Sequence, residues 1–284
     1  MDDKVFIKQF LKKALKEDVG KGDYTSLAIV KRSSVSCATL LVKEPCILAG
    51  LSILKTIFFE IDKSAYIELF YKDGDYCEGR NNVAARIRAN TLKLLKVERL
   101  VLNILQRMSG IATKTAQFVE KVKGTKAKIL DTRKTTPLFR YFEKKAVQIG
   151  GGQNHRFGLF DMILIKDNHI AYAGSIEKAI DNIHNFLKKK KLNLKIEIEA
   201  KSLECVKKII NKGGIDIIML DNFTIEETKK AVEIINEKYL IESSGGINLS
   251  NVRDYALCGV DFISVGELTH SVKAIDMSLK IVNV

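Results

Sequence analysis

The sequence predicts an α/β protein in which an N-terminal α+β domain precedes an α/β barrel. From about residue 127 onward, short runs rich in Ile, Leu and Val alternate with amphipathic segments, as expected of successive βα units. The six predicted strands lie in KAKIL, DMILI, LKIEIE, IDIIML, YLIES and DFISV. Six units in succession, with no GxGxxG motif after an early strand, favour a barrel over an open doubly wound sheet.

The segments between these strands carry signals for helix boundaries. Ser175, Ser202 and Thr224 are favourable N-cap residues, because their side-chain oxygens accept hydrogen bonds from backbone N–H groups of the first turn. Gly213 and Gly259 stand where helices are expected to end, since glycine adopts the left-handed conformation of a C-cap without strain. The sequence therefore predicts helices between successive barrel strands.

The first hundred residues follow a different pattern, which we interpret as a separate domain. A helix is predicted near residues 4–18, another in LSILKTIFF, and a long helix from about Thr91 to Val122. Strands are predicted in SVSCATLLVKEPCILAG, AYIELFY and NVAARIRA. We place the boundary near residue 108, so that a first domain, 1–108, precedes a barrel domain, 109–284. This boundary allows the last residues of the chain to pack back on the first domain.

The composition is that of a globular protein outside the secreted and membrane classes. Hydrophobic residues make up 46% of the 284 residues and charged residues 29%, which is ordinary for a folded chain. No stretch approaches the roughly 20 apolar residues that span a bilayer, and the N-terminus mixes charge into its apolar positions, unlike a signal peptide. The five cysteines form no CxxC pair, which argues against a disulfide framework or a zinc site. We therefore expect a cytoplasmic protein that does not associate with membranes.

The formal net charge of +13 has three explanations. It indicates nucleic-acid binding, an anionic small-molecule substrate, or a lysine-rich composition without functional meaning. Nucleic-acid-binding proteins interleave aromatic residues with an exposed basic stripe, whereas here Trp is absent and the notable cations follow the predicted strands. The sequence therefore favours a small anionic substrate and no nucleic-acid partner.

Each predicted barrel strand ends in polar residues. The polar groups at the six strand ends are DTRKTT, KDNH, Glu199 at the close of IEIE, DN, SSGG and GELTH. Polar loops are common, but that explanation accounts for one or two strand ends and not for six. Because the active sites of α/β barrels are built at the carboxyl ends of the strands, we expect these residues to share one pocket.

Four cations fall within this predicted pocket, namely Arg133, Lys134, Arg156 and Lys166. Crowding them together is unfavourable unless a strongly anionic ligand compensates their charge. Planar guanidinium groups suit carboxylates and phosphates, and the ammonium group of Lys contributes a compact charge. His155 follows a run of three glycines and is a further candidate for contact with an anion. The pocket is therefore predicted to bind a substrate with several negative charges.

Carboxylates and small residues complete the predicted pocket. Glu199 and Asp221, at successive strand ends, supply hard oxygen ligands of the kind that hold Mg²⁺ with a phosphorylated substrate. Either residue taken alone is explained equally well as a cap or an ion pair. Small residues after the last two strands expose backbone N–H groups that suit a phosphate group. These residues are Ser244, Gly245, Gly246 and Gly266.

Seven motifs together resemble the quinolinate phosphoribosyltransferase family, also called the carboxylating nicotinate-nucleotide pyrophosphorylases. In chain order they are ERLVLNILQRMSGIAT, KILDTRKTTP, KKAVQIGGGQNHRFGL, LIKDNHI, MLDN, ESSGGI and GVDFISVGELTHS, and the resemblance covers essentially the whole chain. It implies an enzyme of NAD biosynthesis that joins quinolinate to 5-phosphoribosyl 1-diphosphate with Mg²⁺, releasing nicotinate mononucleotide, pyrophosphate and CO₂. It also implies an N-terminal α/β sandwich domain, an incomplete α/β (TIM-like) barrel, and a homodimer with shared active sites, leaving open a higher oligomer.

The resemblance further implies roles for individual residues. Arg99 would reach across the dimer interface into the neighbouring site. The two quinolinate carboxylates would be surrounded by Arg133, Lys134, His155, Arg156 and Lys166. The ribose and the Mg²⁺-diphosphate would face Glu199 and Asp221, and the ribose phosphate would be received by Ser244, Gly245, Gly246, Gly266 and His270. The substrate-binding set also includes Thr132, Val265 and Glu267, and the catalytic residues are expected to be Lys134, Lys166, Glu199 and Asp221.

One residue departs from the family pattern, and one related activity stays open. Leu138 stands after TTP, where the family leads us to expect glycine. The alternative enzyme is a phosphoribosyltransferase that takes nicotinate or another base without decarboxylation, and it needs a clamp for only one carboxylate. Release of CO₂ from quinolinate distinguishes the two activities.

Overall fold

The computed structural model describes residues 3–282. Its helices are α1 (Asp3–Val19), α2 (Tyr24–Ile29), α3 (Leu51–Ile61), α4 (Thr91–Lys121), α5 (Arg140–Ile149), α6 (Asp167–Ala173), α7 (Ile176–Lys190), α8 (Leu203–Lys212), α9 (Ile225–Ile235), α10 (Val252–Leu257) and α11 (Glu267–His270). Its strands are β1 (Val35–Val42), β2 (Cys46–Ile47), β3 (Tyr66–Leu69), β4 (Tyr76–Cys77), β5 (Asn82–Asn90), β6 (Lys128–Leu130), β7 (Ile163–Ile165), β8 (Ile196–Ala200), β9 (Ile217–Asp221), β10 (Leu240–Ser244), β11 (Phe262–Ser264) and β12 (Met277–Val282). None of the helices in this described range is both long and apolar enough to cross a membrane.

The chain forms two compact units. The first contains the residues up to Lys114, the segment Tyr141–Gly150 and the residues from Val272, and the second contains Thr115–Arg140 and Gly151–Ser271. The sequence predicts a single domain boundary near residue 108. In the structure the chain leaves the first unit within α4, returns to it for α5 and returns again for β12. The first unit therefore consists of three segments that are distant in sequence.

An antiparallel sheet with strand order β12-β1-β5-β3 forms the first unit, together with its helices. Along β1 the buried residues Ala38, Leu40 and Val42 alternate with more accessible ones, as expected when one face of a sheet packs against the core. Helix α3 supplies Leu54 and Phe58 to the core of the unit. The α/β sandwich predicted for the N-terminal domain is confirmed.

Helix α5 belongs to the first unit because of its aromatic and charged side chains. The ring centroid of Phe142 lies 4.7 Å from that of Phe10 and 5.8 Å from that of Phe6. Beside this cluster, the fully buried Glu143 accepts hydrogen bonds from Arg107 Nε at 3.1 Å and from Nη2 at 2.9 Å. A buried carboxylate is stable only with a partner of this kind, so the ion pair fixes α5 beside α4.

The carboxylate of Asp62, at the end of α3, is almost completely buried and accepts several hydrogen bonds. Burial by itself raises the pKa of Asp62, but hydrogen bonds from the N–H of Asn90 (2.8 Å), the hydroxyl of Ser64 (2.8 Å) and Lys93 Nζ (3.3 Å) outweigh burial and lower the pKa to about 2. The folded-state pKa thus lies below the ordinary value of 3.8. At pH values above 3.8 the ionised carboxylate therefore stabilises the fold. This stabilisation is lost as the pH falls toward the folded-state pKa.

We expect Asp62→Asn to lower the free energy of unfolding at pH 7 by about 2 kcal/mol, because the ionised acceptor is lost. At about pH 3 the difference between the two proteins should shrink, since the wild-type carboxylate itself becomes protonated during unfolding. Urea denaturation at both pH values measures the two effects. Asp276→Asn, at an exposed ion pair with Lys43, is the control and should change stability by less than about 1 kcal/mol. An Asp62→Asn effect of the same size at both pH values would contradict the lowered pKa of Asp62 in the folded protein.

The second unit is built on a parallel sheet with strand order β6-β11-β10-β9-β8-β7. All six strands predicted from residue 127 onward are confirmed. Strand β8 is buried at each of its positions, as expected for a strand covered on both faces. Strands β6 and β7 stand at opposite ends of the sheet, and Gln153 adds a single parallel bridge to Leu130 beyond β6. The sheet is therefore open at one side, and the predicted incomplete barrel is confirmed.

Side-chain caps begin three barrel helices at the predicted residues. Ser175 and Ser202 each accept a hydrogen bond from the backbone N–H three residues later, at 3.2 Å. Thr224 forms a reciprocal capping box with Glu227. These caps satisfy N–H groups that a helix leaves unpaired at its start, and they fix where each helix begins after its strand.

Candidate active site

A cavity of about 720 Å³ lies at the carboxyl ends of the barrel strands in the second unit. Most of the predicted site residues line it. These are Thr132, Arg133, Lys134, His155, Arg156, Lys166, Glu199, Asp221, Ser244, Gly245, Gly246, Gly266, Glu267 and His270. Cationic side chains from distant parts of the chain therefore share one opening, as the repeated polar strand ends predicted.

Two predicted substrate-binding residues do not line this cavity. Val265 is buried, and its backbone N–H donates to Leu130 O at 3.0 Å. The structure thus gives Val265 a role in joining β11 to β6. Arg99 is exposed on α4, within the first unit. Its expected role in the site of a neighbouring subunit stays a prediction.

Four residues that line the cavity were not predicted, namely Leu164, Met219, Ile247 and Ser264. Met219 precedes Asp221 by two positions on β9, so the two-residue period of a strand places both side chains on the same face. This period was available in the sequence and identifies Met219 once Asp221 is assigned to the pocket. The other three lie beside assigned residues in the fold, or directly after them in the chain, without a pattern that marks them.

The segment KDNH contributes only its first residue to the cavity. Lys166 lines the cavity, whereas Asp167 already begins helix α6, directly after β7. The backbone N–H of Lys166 donates to His169 Nδ1 at 2.9 Å, which closes the first turn of this helix. The prediction that all four polar residues form the pocket edge is therefore wrong for the last three, because the connection from strand to helix is too short to hold them there.

Arg133 and Arg156 bring two guanidinium groups to the cavity. Arg156 is partly buried and donates from Nη1 to Met162 O at 3.3 Å. Burial lowers the pKa of Arg156, and the charge of Arg133 lowers it further. An anion bound by both residues would relieve this repulsion. The geometry therefore favours a ligand with more than one negative charge.

A charged pair joins the ends of β7 and β8. Lys166 Nζ forms an ion pair with Glu199 Oε1, and the N–H of Asp167 donates to Glu199 Oε2 at 3.4 Å. Glu199 is 7% exposed, so these partners offset the cost of burying its charge. The ammonium group of Lys166 is thereby held at the cavity wall, where part of its side chain stays accessible.

Asp221 ends β9 and faces the same cavity. Burial raises the pKa of Asp221, and the charge of Glu199 raises it further. The two carboxylates are therefore close enough to repel each other, and a cation near both would be stabilised. Their oxygen atoms are the ligands that Mg²⁺ prefers in proteins.

Two further glutamates, Glu197 on β8 and Glu242 on β10, are fully buried beside His155. His155 Nε2 lies 2.8 Å from Glu197 Oε2 and 3.5 Å from Glu242 Oε2, an arrangement of ligand atoms that could also hold a metal ion. Burial raises the pKa of Glu197 to about 7, and burial together with the charge of Glu197 raises the pKa of Glu242 to about 8. The sequence interpretation missed both acids, although the alternation in IEIE places Glu197 on the same face as Glu199.

The loop after β10 has a backbone conformation that favours glycine. Gly245 has φ +94° and Gly246 has φ +64°. A Cβ atom on Gly245 would overlap with Asn222 Oδ1, whereas nothing lies within 4 Å of a Cβ atom on Gly246. The N–H of Asn222 donates to Ser244 O at 2.8 Å, which holds the ends of β9 and β10 together. This small-residue loop suits the predicted phosphate site.

Leu138 adopts a left-handed backbone conformation, φ +63°, at the position where the family resemblance suggested glycine. This conformation costs most L-residues about 1–2 kcal/mol, whereas the extra chain entropy of glycine costs about 0.5–1 kcal/mol. Because the Leu138 side chain is 76% exposed, little packing is lost on its removal. We therefore expect Leu138→Gly to raise the free energy of unfolding by about 0.5–1 kcal/mol.

Thermal denaturation of Leu138→Gly measures this effect, with Leu138→Ala as the control that shortens the side chain and keeps the strained φ. The alanine variant should have a melting temperature close to that of the wild type. A glycine variant that is less stable than the alanine variant would show that backbone strain at this position is negligible.

Comparison with known proteins gives one family for both parts of the chain. The sequence model described as "Quinolinate phosphoribosyl transferase, N-terminal domain" matches residues 23–109. The model described as "Quinolinate phosphoribosyl transferase, C-terminal domain" matches residues 111–280. The two matches together span most of the chain and include every predicted site residue.

Individual relatives match over nearly the full chain. The chain is 41% identical to "Quinolinate phosphoribosyltransferase [decarboxylating] 2b, mitochondrial" of Nicotiana tabacum, over 97% of this chain and 82% of that protein. It is 40% identical to "Probable nicotinate-nucleotide pyrophosphorylase [carboxylating]" of Bacillus subtilis, over 97% of this chain and 93% of that protein. The crystal structure of nicotinate-nucleotide pyrophosphorylase from Ehrlichia chaffeensis superposes with a TM-score of 0.90 at 42% identity, covering 97% of this chain and 98% of that one.

Proposed function

This chain belongs to the quinolinate phosphoribosyltransferase family, and we propose that it transfers the phosphoribosyl group of 5-phosphoribosyl 1-diphosphate to quinolinate. The products are nicotinate mononucleotide, pyrophosphate and CO₂, as required in de novo NAD biosynthesis. The observation that carries this proposal is the convergence of Arg133, Arg156 and Lys166 on one cavity. A pyridine dicarboxylate and a phosphorylated sugar together supply the negative charge that such a cavity needs.

The first chemical step forms the bond between the base and the ribose. The lone pair of the pyridine nitrogen attacks the anomeric carbon, while the bond from that carbon to the diphosphate oxygen breaks and its electron pair leaves with pyrophosphate. Positive charge develops on the ribose in this transition state, and Glu199 and Asp221 supply negative charge at the cavity wall. Lys134 and Lys166 stabilise the departing diphosphate and the bound carboxylates.

The second step removes the carboxyl group next to the ring nitrogen. The ribosylated nitrogen is cationic, so the ring accepts the electron pair of the carbon–carbon bond as CO₂ leaves. A proton then binds the carbon that held the carboxyl group. The remaining carboxylate stays bound by the guanidinium groups of Arg133 and Arg156, which keep the ring in place during this step.

We propose that Mg²⁺ binds together with the diphosphate near Glu199 and Asp221. The residues fit such a metal, because their carboxylates repel each other and a divalent cation would offset that repulsion. The oxygens of Glu199 already contact Lys166 and the N–H of Asp167. Glu199 and Asp221 would therefore hold Mg²⁺ together with the diphosphate, directly or through water. When bound, Mg²⁺ neutralises charge on the leaving diphosphate.

An assay with quinolinate, 5-phosphoribosyl 1-diphosphate and Mg²⁺ tests the proposed function. We expect nicotinate mononucleotide and CO₂ to form in equal amounts. Nicotinate is the matched control substrate, because it lacks the second carboxylate, and it should react far more slowly. Turnover of nicotinate without turnover of quinolinate would overturn the proposal in favour of the non-decarboxylating alternative.

We propose in addition that two copies of the chain associate and share their active sites. Arg99 is exposed and does not line the cavity of the second unit, which suits a residue that acts in the site of another copy. An apolar groove beside the end strand β7 is lined by Leu159, Met162 and Tyr172, among others, and Tyr172 is 96% exposed. Exposed apolar surface of this kind marks interaction sites, and a second copy is the partner we propose.

Mixing two inactive variants tests the shared site. In a mixed dimer of Arg99→Ala and Arg133→Ala, both substitutions fall in one site and the other site is intact. We therefore expect a dissociated and reassociated mixture to recover up to about a quarter of wild-type activity, since half of the random dimers are mixed. Sedimentation velocity confirms the oligomeric state. A dimeric mixture that stays as inactive as the separate variants would overturn the shared-site proposal.

A further inference from the structure

Two loops carry the guanidinium groups that face the cavity. Arg133 lies in the loop after β6, and Arg156 lies in the loop that leads to β7. The separation of these loops sets the separation of the two guanidinium groups, and a rigid ligand with two carboxylates is sensitive to that separation. A contact that joins the loops therefore acts on ligand binding even when it lies outside the cavity.

Arg140 makes such a contact between the two loops. Its Nε donates to Thr135 Oγ1 at 2.9 Å, in the loop after β6. Its Nη1 donates to the backbone carbonyl of Phe157 at 2.9 Å, in the loop before β7. The guanidinium group also lies over the Phe157 ring, 5.9 Å from the ring centroid. Arg140 is half-buried and does not itself line the cavity.

The acceptors of Arg140 stand next to both of the cavity arginines. The backbone N–H of Thr135 donates to Arg133 O at 2.8 Å, which closes a tight turn. Phe157 directly follows Arg156 in the chain. One guanidinium group therefore ties the backbone next to Arg133 to the backbone next to Arg156.

The backbone of Phe157 is held from both sides. Its N–H donates to Asp161 Oδ2 at 2.6 Å, and the N–H of Gly158 donates to Asp161 Oδ1 at 2.8 Å. The carbonyl group of Phe157 has Arg140 as its donor. Asp161 thus shapes this loop from within, whereas Arg140 fixes where the loop stands relative to the loop after β6.

We infer that Arg140 is a positioning residue that sets the spacing of Arg133 and Arg156 for a ligand with two carboxylates. A guanidinium group suits this role, because its several donors are held in one plane and point in different directions. Lysine carries its donors on a single nitrogen atom and is less suited to joining two separate loops. The consequence for quinolinate rests on the proposed function, whereas the effect on the loops does not.

Amide hydrogen exchange in the free protein tests the contact between the loops. In Arg140→Ala the N–H groups of Phe157 and Gly158 should exchange at least about tenfold faster than in the wild type, because their loop has lost its tie. The N–H of Lys178, which is capped at the start of α7, should keep its rate. Unchanged exchange at Phe157 and Gly158 would overturn the inference, whether or not the protein uses quinolinate. If the alanine variant does not fold, Thr135→Val removes one acceptor and provides the same measurement.

Steady-state kinetics test the consequence for the substrate. Arg140→Ala should raise the KM for quinolinate by about 10- to 100-fold, with less than about a twofold change in the KM for the phosphoribosyl donor. Arg140→Lys should lie between the wild type and the alanine variant. Arg253→Ala is the matched control, because Arg253 also holds backbone carbonyls, those of Lys121 and Lys123, and does not line the cavity. Equal increases in both KM values would show a general structural role and overturn the inference.

A double-mutant cycle shows whether Arg140 acts through Thr135. Thr135→Ser keeps the acceptor and should behave as the wild type, whereas Thr135→Val removes the acceptor and should raise the KM for quinolinate. Adding Thr135→Val to Arg140→Ala should cause little further change, because both substitutions remove the same bond. Fully additive effects would show that Arg140 acts elsewhere and overturn the inference. A wild-type protein that does not turn over quinolinate would refute the proposed function instead, and the exchange measurement would still decide the role of Arg140.

Discussion

Replacing Arg133 with alanine is expected to lower kcat/KM for quinolinate by about two to three orders of magnitude. The loss of one preorganised electrostatic contact commonly costs roughly 2.7–4 kcal/mol of transition-state stabilisation. Arg133 is exposed at the cavity, so its removal disturbs little packing. Its charge already lowers the pKa of the partly buried Arg156, which indicates that the two guanidinium groups lie near the same part of the cavity. Initial rates over a range of quinolinate concentrations, at saturating donor and Mg²⁺, measure the effect.

Two matched variants separate charge from geometry in this experiment. Arg133→Lys keeps the positive charge and loses the planar fork, so its kcat/KM should lie between those of the wild type and the alanine variant. Lys189→Ala removes a cation at the exposed end of α7 and should leave kcat/KM unchanged. Wild-type kcat/KM in Arg133→Ala would refute the proposal that Arg133 binds the carboxylates of quinolinate.

Gly245→Ala is expected to produce the second large loss, with the KM for the phosphoribosyl donor or kcat changed by at least about tenfold. The added methyl group would overlap with Asn222 Oδ1, and the residue would keep a left-handed φ of +94°. The left-handed backbone alone costs about 1–2 kcal/mol, and the steric overlap adds to it by moving the ends of β9 and β10 apart. Steady-state kinetics with each substrate varied in turn measure the loss.

Gly246→Ala is the matched control for this substitution. It also has a left-handed φ, but its added methyl group meets no atom within 4 Å. We therefore expect a smaller effect, close to that of backbone strain alone. Adding Asn222→Gly to Gly245→Ala removes the overlapping side chain and should restore part of the donor affinity. Equal losses in the two alanine variants would show that contact with Asn222 is unimportant.

The barrel strands were predictable because parallel strands covered on both faces appear as short apolar runs, and because serine and threonine caps mark the helix starts. Short elements without a pattern were not predictable. β4 has only two residues and is defined by its pairing with β2. α2 depends on Asp23, whose side chain accepts the N–H of Ser26 at 3.1 Å. The return of α5 to the first unit follows from packing of Phe142 and Glu143, which no local signal reveals.

The candidate site was predictable to the extent that it consists of strand ends. The buried acids beside His155 were missed, because Glu197 and Glu242 stand inside apolar runs where the sequence shows only a strand. The contact of His155 with these acids depends on three segments meeting in space, which no local sequence pattern reveals. The cytoplasmic location and the lack of a nucleic-acid partner stay predictions.

The pairing of β1 with β12 affects the order in which the chain can fold during synthesis. Val42 of β1 stands opposite Met277 of β12. One edge of β1 therefore has no partner until the ribosome has synthesised the whole barrel. A nascent chain therefore carries an unpaired strand edge for most of its translation, and such edges associate readily with other chains. Truncation before Met277 is accordingly expected to yield a product that aggregates although its barrel sequence is intact.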